Sequence, residues 1–473
     1  MKRYVPPELP VLLLSDPLPG NSLGRALYKA GIDRAVAYTL VSRGWTLLSG
    51  VVSLALLTRY LTPVQQGFYY TFINILAIQV FFELGLSTVI MQFASHEKAK
   101  LSWNQQGHLE GQQEAKSRLA SLLRLSLRWY SGVAILVLLV VLPIGLVFFT
   151  HYSTPDLRIA WQLPWLWIVL VTSGSLAISP FLALLEGCGL VAQIAVIQVA
   201  QSILGSVLFW AALLCHWGLF TAPITNTTVL VITAGWLWSY KRAFFRDLLS
   251  MPPGNAAIRW NQEVWPLQWR VGLSWLSGFL VTQIYTIVLF ASHGPVAAGQ
   301  LGLSLSVMSA IAAVALAWLT TKSAFFGTWI ARKDYARLDH VFFPSLWQSW
   351  VLVTVLSAAL WGGGAWLHMV HAPISARILP PLPLGLLALS TVFNHVVFAE
   401  AIYLRAHKQE PFLPASLVMA SLVVISSLLL AKPFGATGMM LGNAVICLLN
   451  VGITGRIFLQ KRREWHTPAP LAI

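Results

Sequence analysis

Five polar side chains interrupt long apolar stretches of the sequence and are the first candidates for chemistry. Arg43 falls in the first such stretch and Glu83 in the next, while Asn394, His395 and Glu400 share a later one. If these stretches cross a bilayer, each ionisable group is costly there, which marks it as a candidate ion or substrate contact. The sequence thus offers an arginine for an anion and carboxylates for a cation or a proton.

Arg43 and Glu83 each allow a functional and a structural role. A guanidinium binds phosphate oxygens through two parallel hydrogen bonds, so Arg43 can hold a substrate diphosphate. Arg43 is also shallow enough to extend to the cytoplasmic headgroups as a snorkelling side chain. Glu83 can form an ion pair with Arg43 on the neighbouring helix, or take up a proton during transport. These alternatives stay open for both residues.

The other candidates are polar residues of the second half of the chain. Glu400 lies five positions after His395, near the predicted cytoplasmic end of its helix, which favours a hydrated interfacial carboxylate over a proton relay. Glutamines in apolar helices more often bond neighbouring helices than sugars. No metal site and no cofactor is expected. The candidate substrate contacts are Arg43, Glu83, Arg270, Gln283, Gln300, Lys322, Asn394, His395 and Glu400.

The elements that must position these residues follow from composition. Hydrophobic residues make up 57% of the chain and charged residues 10%, whereas a soluble domain carries roughly a quarter charged residues. A helix needs about 20 mostly apolar residues to cross a bilayer. The sequence predicts an all-α polytopic membrane protein with about twelve transmembrane helices, at residues 37–60, 66–94, 127–150, 160–186, 190–216, 224–242, 268–291, 296–321, 342–367, 379–403, 411–431 and 434–458.

The charges support this assignment. With the N-terminus inside, 26 of the 31 Lys and Arg residues fall on the cytoplasmic side, as expected from the positive-inside rule. One missed helix would reverse every later loop and destroy this asymmetry. Both termini are therefore predicted to be cytoplasmic. The formal charge of +15 is explained by topology, which argues against nucleic acid as a partner.

An internal repeat appears at an offset of 232 residues. Thr62–Gly67 (TPVQQG) aligns with Gly294–Gly299 (GPVAAG), and each copy joins the first two helices of a six-helix half. Two halves of six helices share one orientation, which is a transporter architecture with the substrate path between the halves. The predicted regions are an N-terminal tail 1–35, a first half 36–245, a cytoplasmic linker 246–266, a second half 267–460 and a C-terminal tail 461–473.

The same region carries a family resemblance. The segments RYLTPVQQGFYY from Arg59, FELGL from Phe82 and LLEGCG from Leu184 resemble Wzx-type polysaccharide flippases of the multidrug/oligosaccharidyl-lipid/polysaccharide exporter superfamily. The resemblance implies a flippase that moves a polyprenyl-diphosphate-linked oligosaccharide from the cytoplasmic to the outer leaflet of the inner membrane. A lipid-linked glycan and the bilayer are then the expected partners, together with H⁺ or Na⁺ as a coupling ion.

Competing functions are a cation-coupled multidrug exporter of the same superfamily, a membrane glycosyltransferase or polymerase, and a membrane scaffold that does not transport. The sequence contains no P-loop, HExxH or GxSxG motif, so an ATP-driven transporter is unsupported. Short predicted periplasmic loops leave little room for a catalytic domain. Positive charge at the predicted cytoplasmic mouth favours anionic over cationic cargo. Transport without catalysis is the expectation.

Overall fold

A computed structural model of the chain describes residues 34–79, 83, 85–104, 108–152, 159–251, 258–407 and 409–466. Side chains are described throughout these ranges except at residues 34–40, 42, 43, 47, 267, 270, 271, 274–280, 324 and 331. The predicted tails at 1–33 and 467–473 therefore lie outside the described residues.

The described chain is almost entirely helical. Its α-helices in order are α1 Arg34–Tyr60, α2 Pro63–Leu76, α3 Leu86–Lys98, α4 Gln113–Leu136, α5 Leu142–Tyr152, α6 Gln162–Gly187, α7 Val191–Leu214, α8 Ile224–Trp236, α9 Arg242–Ser250, α10 Trp265–Ala331, α11 Tyr335–Met369, α12 Pro381–Ala406 and α13 Leu413–His466. Short π-helical turns occupy Val137–Val141, Leu237–Lys241 and Trp260–Val264, and 3₁₀ turns occupy Gly218–Thr221 and Pro373–Arg377. Two strands, β1 Leu101–Trp103 and β2 Leu109–Gly111, form one antiparallel hairpin that pairs Leu101 with Gly111.

Eight described helical stretches are long and apolar enough to cross a membrane. Two of them, within α10 and α13, contain two predicted spans each, joined at a glycine that leaves the helical conformation. Gly294 has φ 80° immediately before Pro295, and Gly435 has φ 57° shortly after Pro433. Glycine permits these φ values without a Cβ penalty. The predicted polytopic all-α fold is confirmed, whereas the count of twelve and the side of the termini stay predictions.

The predicted breaks have physical counterparts. The expected interruption at 216–223 is the gap between α7, which ends at Leu214, and α8, which begins at Ile224. The predicted span 66–94 is not one regular helix, and whether it crosses the membrane stays a prediction. Helix α2 ends at Leu76, and α3 begins at Leu86 after Gly85, whose φ of 64° interrupts the helix. Apolar composition cannot reveal such a break, because it depends on backbone conformation.

Two compact units divide the chain discontinuously. Unit 1 contains the described residues up to Leu56 together with Gly85–Leu142 and Leu166–Trp269. Unit 2 contains Leu57–Leu84 and Pro143–Trp165 together with the described residues from Arg270 onward. Segments of the predicted first half thus occur in both units. The division of the sequence into two duplicated halves stays a prediction.

The interior of unit 2 has two apolar clusters. One is centred on Leu289, Leu301 and Met439, and the other on Phe326, Phe342 and Tyr403. The first draws on the earlier part of α10 and on both sides of the Gly435 kink, and the second on the later part of α10 and the end of α13. Burial of such side chains stabilises by about 1.5–3 kcal/mol each in water; between lipid-facing helices close packing supplies the gain instead.

The two copies of the sequence repeat touch each other within unit 2, in a contact here called the glycine seam (Gln66, Gly67, Pro295, Gly299 and Arg377). A Cβ on Gly67 would overlap the carbonyl oxygen of Pro295, and one on Gly299 would lie 2.8 Å from the backbone nitrogen of Gly67. The amide of Gln66, which is 1% exposed, donates to the carbonyl oxygens of Gly299 (2.8 Å) and Arg377 (3.0 Å). Glycine is required here because two backbones meet.

Candidate functional site

The glutamate of the second predicted span, Glu83, is helical and lies between the end of α2 and the left-handed Gly85 that precedes α3. Glu83 is half-buried, two residues before the left-handed Gly85. Interrupted helices frequently bind substrates and ions in transporters, because they place free backbone groups at membrane depth. The side chain of Arg43 lies outside the described residues, so the expected pair between Arg43 and Glu83 stays a prediction. The same holds for the Arg270 side chain.

Polar side chains, here together called the polar layer, lie among the residues of the two apolar clusters of unit 2; they are Tyr285, Lys322, Ser345, Ser349, Ser390, Asn394, His395, Glu400, Asn443 and Cys447. On α12 it includes Ser390 and Asn394, which lie near Cys447 of α13, and the thiol of Cys447 donates to the side-chain oxygen of Asn443 at 3.5 Å. The phenol of Tyr285 on α10 donates to the side-chain oxygen of Asn443, at 2.6 Å. Three helices therefore present uncharged hydrogen-bonding groups to one another in a region flanked by apolar packing.

Two further side chains of the polar layer, His395 and Lys322, form hydrogen bonds with serines on one face of helix α11. The ring nitrogen Nε2 of His395 lies 2.9 Å from the hydroxyl of Ser349, and the ammonium of Lys322 donates to the hydroxyl of Ser345 at 2.7 Å. Ser345 and Ser349 are four residues apart, so they project from the same side of the helix. Within the described residues Lys322 has no carboxylate within 4.0 Å. Its charge is therefore available to an anion.

Glu400 is buried, with 7% of its surface exposed, and the expectation of a hydrated interfacial carboxylate was wrong. Its oxygen Oε2 has no protein partner in the described chain, and the hydroxyl of the nearby Thr454 on α13 donates to the carbonyl oxygen of Asn450 at 2.9 Å. An ideal Cβ on Gly455 would lie 3.9 Å from Oε1, so α13 packs directly against the carboxyl. Sequence position placed Glu400 near a helix end, but the neighbouring helix covers it.

The glutamines behave mainly as contacts between elements. Gln300 donates to the carbonyl oxygen of Ala376 at 3.1 Å, and Gln201 donates to the hydroxyl of Thr233 at 2.7 Å. Gln283 is half-buried on α10. Of the nine predicted contacts, Lys322, Asn394, His395 and Glu400 share the region of the polar layer, whereas Gln300 lies on the turn of α10 that follows the glycine seam. Their role in substrate binding stays a prediction.

Sequence reasoning missed an ion-paired cluster in unit 1, here called the charged clasp (Glu97, His108, Arg118, Asp247 and Glu263). Arg118 of α4 bridges two carboxylates at 2.6 Å each, Oε1 of Glu97 on α3 and Oε2 of Glu263 before α10. His108 of the β-hairpin contacts Asp247 on α9 at 2.7 Å. The hairpin is thereby attached to α9, and the segment after α9 is attached to α4 and, through Arg118, to α3.

The electrostatics of the charged clasp follow from its hydrogen bonds. The backbone N–H of Arg259 donates to Glu263, and this bond, together with the adjacent Arg118, holds the pKa of the Glu263 carboxyl below its usual range. The acidic residues of the clasp occur in predicted cytoplasmic loops, where charge is ordinary. No local pattern in the sequence distinguishes them from solvated side chains.

Gln66 and the Tyr285–Asn443 pair were also missed as contacts. Gln66 lies inside the repeat motif Thr62–Gly67, so the motif could have marked Gln66 as a candidate contact residue. Tyr285 and Asn443 are 158 residues apart, and their pairing requires knowledge of which helices are neighbours.

Comparisons with known proteins give a family and a fold. The family model described as polysaccharide biosynthesis protein matches residues 33–324. No curated protein matches the sequence.

Solved structures similar to this chain include three transporters. The inward closed conformation of the lipid II flippase MurJ is 11% identical with a TM-score of 0.60, over 90% of each chain. The inward-facing conformation of a multidrug resistance MATE family transporter of the MOP superfamily is 12% identical with a TM-score of 0.58, over 90% of this chain and 99% of that one. A MOP superfamily transporter from Pyrococcus furiosus is 13% identical with a TM-score of 0.54, over 92% and 96%. At these identities the likeness shows the fold.

Proposed function

Because the chain belongs to the polysaccharide biosynthesis protein family, we propose that it is a flippase for a lipid-linked glycan precursor. It moves a polyprenyl-diphosphate-linked oligosaccharide, or a related polysaccharide precursor, from the cytoplasmic to the outer leaflet of the inner membrane by alternating access. The observation that carries this proposal is the family match over residues 33–324, and the fold shared with the lipid II flippase supports it.

A protein is needed because moving the precursor across the hydrocarbon core of the bilayer has a high free-energy cost. A diphosphate and a sugar chain cannot cross hydrocarbon unaided, because each polar group would lose its hydrogen bonds to water. The polar layer of α10–α13 offers hydroxyl, amide and imidazole groups as replacement partners, including Asn394 and His395. Lys322 lies toward the predicted cytoplasmic end of α10 with only a serine hydroxyl as its described partner. It is therefore placed to attract the diphosphate as the precursor enters.

No catalytic role and no cofactor form part of this proposal, since moving the precursor makes and breaks no covalent bond. Coupling to H⁺ or Na⁺ is part of it, with the half-buried Glu83 and the buried Glu400 as the carboxyls available to a cation.

The alternative function is a multidrug exporter, which the fold shared with a MATE family transporter favours. The predicted excess of cytoplasmic Lys and Arg opposes cationic drugs as cargo. The third candidate function is a membrane scaffold that does not transport.

Deletion of the gene tests the proposal. We expect the lipid-linked glycan to accumulate in the cytoplasmic leaflet and the surface polymer to disappear, with both restored by the wild-type gene. Lys322→Gln should restore less polymer than Lys322→Arg at equal protein level, because arginine keeps the charge. An unchanged leaflet distribution and an unchanged surface polymer in the deletion strain would contradict the flippase function. Increased sensitivity to cationic dyes in that strain would favour the drug exporter.

A further inference from the structure

An ammonium group in unit 1 lies close to two tryptophan rings, and within the part of the chain that the structure describes it has no acceptor for its protons. The Nζ atom of Lys241 is 5.8 Å from the ring centroid of Trp103 and 5.5 Å from that of Trp236. Both distances are within the range of cation–π attraction. Within the described residues Lys241 has neither a hydrogen-bond acceptor nor a carboxylate partner. An ammonium has three donors, so this arrangement leaves its hydrogen-bonding capacity unused.

Local structure holds this lysine in place. Lys241 ends the π-helical turn Leu237–Lys241, which interrupts the α8–α9 helix by one extra residue per turn. Such π turns inside helices occur frequently at functional sites. Trp103, on β1, is fixed by its own indole N–H, which donates to the carbonyl oxygen of Cys188 at 2.9 Å. The ring of Trp103 also contacts Phe244 of α9, with centroids 5.2 Å apart.

The surroundings of Lys241 match the interface of a membrane. Trp238 and Tyr240 expose 69% and 76% of their surfaces on the same turn, and tryptophan and tyrosine concentrate at the level of lipid headgroups. Further cations lie close by: Arg242 stacks on Trp238 at 5.0 Å, and Lys98 donates to the carbonyl oxygen of Leu101, two residues before Trp103. The region is predicted to face the cytoplasm, where anionic headgroups attract basic side chains.

We propose that Lys241, between Trp103 and Trp236, binds the phosphate group of a lipid at the cytoplasmic surface. The ammonium supplies charge and donors to phosphate oxygens, and the two indoles orient it and shield it from water. Two sources share this chemistry: the phosphodiester of an anionic phospholipid, and the diphosphate of the transported precursor. The second source rests on the proposed flippase function, whereas the first does not. Nothing in the polar layer of unit 2 is required for this site.

Four ligands distinguish the sources with the purified full-length protein in neutral detergent. These are phosphatidylglycerol, farnesyl diphosphate, phosphatidylcholine as a zwitterionic lipid, and farnesol, which has the farnesyl tail without phosphate. Binding is followed by the rise in melting temperature during titration and by native mass spectrometry. We expect phosphatidylglycerol, farnesyl diphosphate or both to bind, and phosphatidylcholine and farnesol to bind at least about tenfold more weakly.

Matched variants assign the binding to the lysine. Lys241→Gln should weaken binding about tenfold, while Arg242→Gln, which removes an adjacent and exposed charge, should change it by less than about threefold. Lys241→Arg should restore most of the affinity. If Lys241→Gln fails to fold, Trp236→Leu tests the same site, because losing one ring frees the ammonium and lowers the affinity while the net charge is kept.

The outcomes separate the proposals. Binding of phosphatidylglycerol alone assigns a structural lipid, and binding of farnesyl diphosphate alone assigns a site for the precursor. Equal losses in Lys241→Gln and Arg242→Gln would indicate diffuse charge attraction and overturn the site, as would wild-type affinity in folded Lys241→Gln. Failure of the gene-deletion test with phosphatidylglycerol binding intact would remove the flippase function and leave the lipid site.

Discussion

The glycine seam of unit 2 and the charged clasp of unit 1 hold distant segments together by opposite means. At the seam, the backbone around Gly67 meets that of Pro295 and Gly299 because side chains are absent. At the clasp, the long side chain of Arg118 spans the gap to Glu97 and Glu263. The seam tolerates no added atom, while the clasp depends on charge and can exchange its partners for water and ions.

This difference predicts how each region responds to its surroundings. The two short hydrogen bonds of the seam are donated by the neutral amide of Gln66, and the contact of the Arg377 guanidinium with Oε1 of Gln66 is long, at 3.5 Å, so pH and ionic strength should have little effect on the seam. The clasp contains partly exposed ions, whose attraction is screened by salt. The contacts of the seam should therefore stay intact over a range of pH and salt concentration in which the ion pairs of the clasp weaken. The following experiments test this comparison, from the largest expected effect to the smallest.

Gly67→Ala should be the most damaging change. The new methyl group would overlap the carbonyl of Pro295, and overpacking against backbone costs about 1–3 kcal/mol or more. Gly327→Ala is the matched control, since a Cβ at Gly327 meets no atom within 4 Å. In that helix the control should be neutral or stabilise by up to about 1 kcal/mol. Melting temperature and folded yield in detergent measure both, and similar values for the two variants would contradict the seam.

Arg118→Met should lower stability by about 2 kcal/mol, because it removes the short ion pair of the Glu97 carboxylate, 6% exposed, and leaves it only the more distant Lys100, at 3.8 Å. The double variant Arg118→Met with Glu97→Gln should recover part of this loss. Additive losses measured by thermal unfolding would show that the two side chains act independently.

Acid should weaken the same clasp. The pKa of Glu263 is lowered by the Arg259 N–H and by Arg118, so its stabilising contribution is complete above the usual glutamate pKa. That contribution is lost as the pH falls through the depressed pKa. Melting temperature measured from neutral pH downward should therefore fall more steeply in the wild type than in Glu263→Gln. If the melting temperatures of the wild type and Glu263→Gln fall in parallel as the pH is lowered, Glu263 is not the group that causes the acid destabilisation.

Gln66→Leu should cost about 1–2 kcal/mol, since it leaves the carbonyls of Gly299 and Arg377 without their donor. Unlike the Arg118 variant, its loss of melting temperature should be the same at low and high salt. A loss that shrinks with added salt would place an ionic contribution at the seam and contradict the comparison.

His108→Ala should have the smallest effect, less than about 1 kcal/mol, because the side chains of His108 and Asp247 are 35% and 56% exposed. The effect should vanish in high salt. A larger effect that persists in high salt would show that the β-hairpin is attached through contacts of His108 other than its ion pair.

The apolar stretches of the sequence predicted most of the helices, and the proline and glycine residues at 216–223 and 292–299 predicted where they end or bend. The interruption at Gly85 was not predictable from hydrophobicity, since the residues on both sides remain apolar. Glu400 illustrates the limit for the site: its burial depends on α13, which lies about 50 residues further along the chain. Arg118 shows the same limit, because its two partners are 21 and 145 residues away.

Gly67 and Gly299 are corresponding residues of the two repeat copies, and they meet each other. A position that contacts its own counterpart is the signature of an isologous interface between identical subunits. The seam therefore has the form that the predicted duplication would leave if the two halves had once been separate, identical subunits. In such an ancestor one mutation at this glycine would have altered both sides of the interface at once. In a fused chain the corresponding positions could diverge independently, and Gln66 of one copy indeed corresponds to Ala298 of the other.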